Sequence, residues 1–304
     1  MENQILTDSQ EKWILSKLGE DTGWEKMFLL KKYQEKWNLH TIQLAQSISH
    51  NNLVFYVVSE NYGKALFKIL LNHGFDKEIS ALRLFQGRTF VSLYEDSLTD
   101  KVYLMEEITP GATLFEETTR EERIHIFSNI FKGLHPDVPI NPAFPSYFDW
   151  FKSGEIGTRN RRDCDLFRPY LEQAEKMILH IKEKYPREFL LHGDLHHENI
   201  LKSNAGDYKV IDPKGVVGSP VFDISRFILD EFRDDLSSAP KRDVVDFVKA
   251  IGFSVGIPWD ILLQSLFIET VIWLFREELS QGADLQECEG LIENMKIAKE
   301  LSEK

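Results

Sequence analysis

At 304 residues, the chain is long enough for one large domain or two lobes, each with its own buried core. A composition of 42% hydrophobic and 28% charged residues excludes a disordered or collagen-like chain. With 36 Lys and Arg against 49 Asp and Glu, the net charge is −13, which repels a phosphate backbone and argues against a nucleic-acid partner. Such a surface can attract small cations or simply keep the protein in solution. Cys164 and Cys288 lie far apart with no CxxC pair, so neither a disulfide scaffold nor a zinc ribbon is expected, as suits a reducing compartment. The polar opening MENQILTDSQ lacks the features of a secretory signal. The apolar stretch 261–275 is broken by Gln264 and Glu269 and is too short for a bilayer, so a cytoplasmic protein with no membrane partner is expected.

In chain order, residues 1–40 show helical spacing through Ile5, Trp13, Ile14, Leu18, Phe28, Leu29, Tyr33 and Trp37, with Asp8 as a candidate N-cap. The runs 39–48, 53–59 and 64–71 are short, apolar or alternating, and are separated by turn signals, as in an antiparallel meander. Residues 76–85 return to helix, with Ile79, Leu82 and Phe85 on one face. Strands follow at 89–94 and 102–107, joined by the polar EDSLTD turn. Thr109-Pro110-Gly111 punctuates the chain. Beyond it, helices are expected at 120–134, 145–151, 167–185, 221–232, 242–251 and 259–279, interrupted by a strand-and-loop block at 189–217. No repeat or low-complexity tract is visible. The pattern predicts an α+β protein of two lobes. One is a small antiparallel-sheet lobe over 1–108 with a helical extension at 1–40, the other a mainly helical lobe over 109–304. Nothing in the sequence sets an oligomeric state.

The densest chemical signal is LLHGDLHHENIL at 190–201, followed by YKVIDPKG at 208–215. Asp194 and Asn199 are five residues apart, and Asp212 follows Asp194 by 18. The intervening segment reads as a strand–turn–strand hairpin that returns Asp212 towards Asn199. Three oxygen donors around one point suit Mg²⁺ and phosphate oxygens.

This is the spacing of the protein-kinase catalytic loop and its metal-binding aspartate. HGDLHHENIL with VIDPKG resembles the aminoglycoside phosphotransferase family, in its streptomycin and hydroxyurea kinase branch, over residues from about 37 to 227. The resemblance implies a protein-kinase-like two-lobe fold that uses ATP and Mg²⁺ to phosphorylate a small-molecule hydroxyl. It implies that Asp194 accepts or orients the proton of that hydroxyl, that Asn199 and Asp212 hold Mg²⁺, and that His192 is structural. ALFKI at 65–69 resembles the strand of the phosphate-binding lysine, here Lys68, with Glu78 as its helix partner. Glu106-Glu107-Ile108 resembles the hinge that reads adenine through the Glu106 carbonyl and the Ile108 amide. Asp223, in GSPVFD, resembles the buried aspartate that anchors the catalytic loop. Two features depart from the pattern: the 47–52 turn carries no glycine, and Ser219 stands where relatives often carry an acid.

Two readings compete. His192, Asp194, His196 and His197 fall within six residues and could ligate zinc or iron in a metallohydrolase. A non-catalytic kinase-like binding protein would be marked by loss of Lys68, Asp194, Asn199 or Asp212, and all four are present. The acceptor is less determined: choline, fructosamine or homoserine kinases of the same fold are alternatives to an aminoglycoside-type enzyme. Residues 260–304 carry ten acidic against four basic side chains, and Asp230, Glu231, Asp234 and Asp235 form a further acidic cluster. Carboxylates lining an acceptor pocket would suit a cationic amino or guanidino sugar, streptomycin-like molecules first and hydroxyurea-like ones second. Asp230, Glu231, Glu269 and Trp273 are the candidates, although solvated helix faces and core packing account for such residues equally well.

Overall fold

A computed structural model describes residues 5–45, 52–71, 75–87, 89–117, 119–137 and 144–303. The chain divides into two compact units, Met1–Gly111 and Ala112–Lys304, three residues beyond the junction expected at 108. The glycine-free 47–52 turn falls outside the described residues, except for Asn52.

The first unit opens with α1 (Asp8–Leu18) and α2 (Glu20–Lys36). The N-cap of α1 is Thr7, not Asp8: its hydroxyl accepts from the Gln10 amide while Gln10 reaches back to the Thr7 amide. Asp8 instead sits in the first turn, where the helix dipole favours an acid. Five strands follow: β1 (Leu39–Leu44), β2 (Asn52–Ser59), β3 (Gly63–Leu70), β4 (Leu93–Ser97) and β5 (Val102–Glu106). They form one antiparallel sheet in the order β1-β2-β3-β5-β4. The fourth strand lies later than its expected 89–94, because Glu95, Asp96 and Ser97 continue it at intermediate exposure and the turn begins only after them. One sheet face buries Phe55, Phe67 and Ile69 against Leu30, Tyr33 and Trp37 of the helical extension. The Trp37 and Phe67 rings stand 5.7 Å apart, and the Tyr33 hydroxyl donates to Asp100 at 2.7 Å. The extension therefore shares the core of this unit. The opposite face carries α3 (Phe75–Phe85).

In the second unit, β6 (Pro110–Thr113) straddles the junction. It is followed by α4 (Arg120–Leu134), α5 (Tyr147–Thr158), α6 (Arg168–Lys184), β7 (Phe189–Leu191), β8 (Ile200–Ser203), β9 (Tyr208–Val210), β10 (Val216–Gly218) and α7 (Val221–Glu231). The unit closes with α8 (Lys241–Val255), α9 (Trp259–Ile272) and α10 (Glu289–Ser302). Strands β7 and β10 pair antiparallel, and β8 with β9 forms a hairpin. The helix expected over 259–279 stops at Ile272 and continues as a π-helical turn, Trp273–Glu278. Helix α10 had no counterpart in the sequence reading; its N-cap, Cys288, makes no side-chain cap. Every residue of α7 is buried, including Asp223, Arg226, Asp230 and Glu231. Four charged side chains in such a position require partners, because an unpaired buried charge costs several kcal/mol. Among the described residues, no single helix is long and apolar enough to cross a membrane.

Candidate active site

The loop between β7 and β8 is held from below by α7. Asp223 accepts the backbone N–H of His192 on one carboxylate oxygen and that of Gly193 on the other, each at 2.8 Å. His135 Nε2 lies 2.9 Å from the same carboxylate. Burial pushes the Asp223 pKa up, but the His135 hydrogen bond and the neighbouring imidazoles and amides overcome it and hold the group below the usual carboxylate range. Gly193 has φ +81°, and a Cβ there would meet Val216 at 3.1 Å and Lys214 and Trp150 at 3.3 Å, so the turn needs glycine on both counts. His192 is fully buried; its Nδ1 accepts the Asp194 amide at 3.1 Å, which leaves Nε2 to donate to the Ile211 carbonyl at 2.7 Å. Burial also lowers its pKa. His192 thus ties the loop to the hairpin strand that precedes Asp212.

Within the loop, Asn199 Nδ2 donates to the Asp194 carbonyl at 2.8 Å, which leaves the amide oxygen of Asn199 as its acceptor. The β8–β9 hairpin, in register Ile200 opposite Val210, returns the chain as expected. The Ile211 amide donates to the Asn199 carbonyl at 3.0 Å, one residue before Asp212. Asp212 adopts φ +56°, a left-handed conformation that turns the chain at this point. An amide oxygen and a carboxylate on backbone positions that the hairpin brings together are a donor set that fits Mg²⁺, which takes one or two protein oxygens and completes its shell with phosphate and water.

The metallohydrolase reading does not survive. His192 is committed to backbone groups, and the buried His197 lies with Nδ1 2.8 Å from Asp230 and Nε2 3.0 Å from Glu231. The His197 ring is stacked between Phe115 and Phe227, each 4.2 Å away. Among the described residues, no group of three or more His, Cys, Asp or Glu side chains could hold a metal ion.

Asp230 and Glu231 are likewise withdrawn from the acceptor pocket. Asp230 accepts both the amide and the ring nitrogen of His197. Glu231 receives Arg120 Nε at 2.9 Å and Arg123 Nε at 2.9 Å besides His197. Burial raises the Glu231 pKa, but His197 and Arg123 outweigh it and bring it down to about 2. These acids brace the loop from inside.

Around Asp194, whose side chain remains 27% exposed, stand two cations and an imidazole. Arg226 Nε is 3.4 Å from Oδ1, Lys214 Nζ is 3.6 Å from Oδ2, and His196 Nε2 is 3.8 Å from Oδ1. Glu269 and Trp273, singled out from the sequence, are half-buried in the same region. The Arg226 guanidinium stacks 4.1 Å from the Trp273 ring, and the Tyr147 hydroxyl donates to Glu269 at 3.3 Å. Burial raises the Glu269 pKa to about 7, opposed by Arg226 and reinforced by Asp194. Arg276, in the π-helical turn, stacks 4.3 Å from Trp150, and burial lowers its pKa to about 10. Sequence reasoning missed Arg226, Tyr147, Trp150 and Arg276. For Arg226 a signal existed, three residues after the loop-anchoring Asp223 and so on the same helix face.

In the first unit, Lys68 lies on β3 opposite Tyr103 of β5 and is 4% exposed. It is on the face away from Phe67 and Ile69, with Nζ 5.6 Å from the Tyr103 ring. The Tyr103 hydroxyl donates to Glu78 of α3, so Lys68 and Glu78 share one aromatic neighbour. At the end of β5, the Glu106 amide donates to the Ser92 carbonyl at 2.9 Å and its carboxylate accepts the Ser92 amide at 3.1 Å. Ile108 is buried two residues on.

The sheet order of the first unit, and the anchored loop and hairpin of the second, are those of protein-kinase-like phosphotransferases. Solved structures agree on the fold. Choline kinase LicA from Streptococcus pneumoniae superposes with a TM-score of 0.64 at 15% identity, covering 92% of this chain and 99% of that one. Spectinomycin phosphotransferase APH(9)-Ia, solved with ADP and spectinomycin, gives 0.58 at 14% identity, covering 91% and 98%. The chain belongs to the aminoglycoside/hydroxyurea antibiotic resistance kinase family, whose profile matches residues 36–271. Streptomycin 6-kinase of Streptomyces griseus is 23% identical over 150 residues, so that this chain spans about half its length, 47% of each. The Streptomyces glaucescens streptomycin 6-kinase is 22% identical over 229 residues, 73% of this chain and 71% of that one.

Proposed function

We propose that this protein transfers the γ-phosphate of ATP to a hydroxyl of a small acceptor, aminoglycoside-type or hydroxyurea-type. The observation that carries the reading is the loop in which Asp223 fixes the backbone before Asp194, Asn199 bonds the Asp194 carbonyl, and the hairpin pairs Ile211, the residue before Asp212, with Asn199. Asp194 orients the acceptor hydroxyl. Its oxygen attacks the γ-phosphorus, the bond to the β–γ bridging oxygen breaks, ADP leaves, and the hydroxyl proton is taken up at the Asp194 carboxylate. Asn199 and Asp212 are the residues that would hold Mg²⁺, which supplies neutralisation of the phosphate charge when bound. Lys68 is assigned to the nucleotide phosphates, Glu78 to keeping Lys68 in place, and the Glu106 carbonyl and Ile108 amide to the adenine. Positioning and electrostatics dominate phosphoryl transfer, so these few contacts suffice for the chemistry.

The family and the streptomycin 6-kinase relatives support a streptomycin-like acceptor first and a hydroxyurea-like one second. The acidic-pocket argument for a polycation does not support it: Asp230 and Glu231 are neutralised internally, and Arg226, Lys214 and Arg276 lie near Asp194 or the half-buried Glu269. The test is calorimetry with Mg-ATP, followed by phosphate transfer to streptomycin, other aminoglycosides, hydroxyurea, choline, fructosamine and homoserine. Transfer to the first three classes supports the reading. Transfer confined to choline, fructosamine or homoserine replaces the acceptor, and failure to bind millimolar Mg-ATP rejects the kinase.

A further inference from the structure

One face of α7 addresses the catalytic loop along its length. Asp223 takes the amides of 192 and 193, Arg226 reaches Asp194, and Asp230 takes the amide and ring of His197. The first and last of these contacts fix backbone. Of these three α7 side chains, Arg226 is the one that reaches the carboxylate of Asp194 itself.

The Arg226 side chain is 7% exposed and held on three sides. Its terminal nitrogens reach Asp234 at 2.6 Å and 3.3 Å, and its plane stacks on Trp273 at 4.1 Å. Its Nε is buried without a hydrogen-bond partner, 3.4 Å from Asp194 Oδ1. An unsatisfied buried donor on a charged group is costly, and a guanidinium clamped by a carboxylate and an indole cannot swing away to find water. Catalytic hydrogen bonds are often long in the unliganded enzyme and tighten when the reactants bind.

We propose that Arg226 is a positioning residue for phosphoryl transfer: its Nε closes on Asp194 Oδ1 when an acceptor binds, fixing the carboxylate so that Oδ2 meets the acceptor hydroxyl. Lys214, which faces Oδ2 at 3.6 Å, is 50% exposed and free to move aside for the acceptor. Asp234 and Trp273 set the guanidinium plane, so the arrangement runs from the helix through Arg226 to one oxygen of Asp194. The proposal rests on the reading of Asp194 as the acceptor-facing group.

The variants are R226Q, R226K and R226A, measured with Mg-ATP and with the best acceptor of the panel above. R226Q lowers kcat about 10²-fold, the cost of misplacing a reacting group by about an ångström, while acceptor KM and Mg-ATP affinity stay within about threefold. R226K keeps the charge but cannot serve Asp194 and Asp234 together, and recovers only part of the loss. Millimolar guanidinium raises kcat of R226A by tenfold or more and leaves the wild type unchanged, which a merely structural role would not produce. A kcat for R226Q within about threefold of wild type overturns the proposal. So does a joint loss of turnover and Mg-ATP binding without guanidinium rescue. If the wild type phosphorylates no acceptor, the functional reading fails, and crystal structures still decide the positioning claim. Asp194 in one rotamer in wild type and displaced in R226Q supports it; the same rotamer in both refutes it.

Discussion

In the proposed reaction Asp194 serves the acceptor and Asn199 and Asp212 the nucleotide, and substitutions separate the two. Asp194→Ala should lower turnover by about 10²–10⁴-fold with Mg-ATP affinity nearly intact, because it removes the group proposed to orient the hydroxyl. Asp212→Ala should weaken Mg-ATP binding itself, since it removes the proposed anionic metal ligand; nucleotide titration of both variants tells them apart. Glu269 gives a pH signature. Its folded pKa of about 7 lies above the ordinary 4.5 because the surroundings disfavour the charged form. The stability it contributes is present below about pH 4.5 and is lost as pH rises through 7. Melting curves of wild type should therefore fall relative to Glu269→Gln across that window, by at most about 3 kcal/mol. The candidates Asp194, Asn199 and Asp212 were legible in the sequence because a loop motif fixes residue type and spacing locally, and Lys68 because a short strand pattern carries it. Arg226, Tyr147 and Arg276 were not, because their proximity arises only when α5, α7 and the turn after α9 pack.

The helix α7 shows the same division at the scale of an element. Its existence and limits were legible from its apolar run, and the observed Val221–Glu231 differs from the expected span by one residue. Asp223 was read as the loop anchor it is, but Asp230 and Glu231 were placed in the acceptor pocket because their partners are distant in the chain: Arg120 and Arg123 lie 111 and 108 residues from Glu231. Acidity in a sequence window says nothing of burial, and a buried acid is one whose partners come from elsewhere. The consequence is measurable. Glu231, 1% exposed in its side chain, has a folded pKa of about 2, so its stabilisation is present above pH 4.5 and lost as pH falls towards 2. Asp223 and Asp230 are shifted the same way and add to it. Glu231→Gln should flatten the acid limb of the melting-temperature profile between pH 5 and 2, removing up to about 3 kcal/mol of the wild-type loss. The turn after α9 was hidden for a different reason. Gly154 and Gly157 of α5 approach so closely that an added Cβ would stand 3.0 Å from the Arg276 backbone and 2.5 Å from Ser280. A contact between helices more than a hundred residues apart leaves no local pattern, and the π-helical turn it meets reads as uninterrupted helix.

For the molecule as a whole, the net charge of −13 and the field near Asp194 point in different directions. The excess acid is spread over exposed helix faces, whereas a lysine, an arginine and a histidine stand within 4 Å of the Asp194 carboxylate. In the proposed reading, acceptor binding therefore rests on contacts at the site and not on long-range attraction of a polycation, which salt screens over about 8 Å at physiological ionic strength. Acceptor KM should change less than about threefold between 50 and 500 mM salt; a steep rise would restore the acidic pocket. The central claim is phosphoryl transfer governed by Asp194, and the most direct measurement follows radiolabelled γ-phosphate from Mg-ATP to streptomycin or hydroxyurea, in wild type and Asp194→Asn side by side. The account predicts labelled acceptor in the wild type and at least a hundredfold less in the variant, with equal Mg-ATP affinity. Labelled acceptor formed equally by both proteins would contradict it.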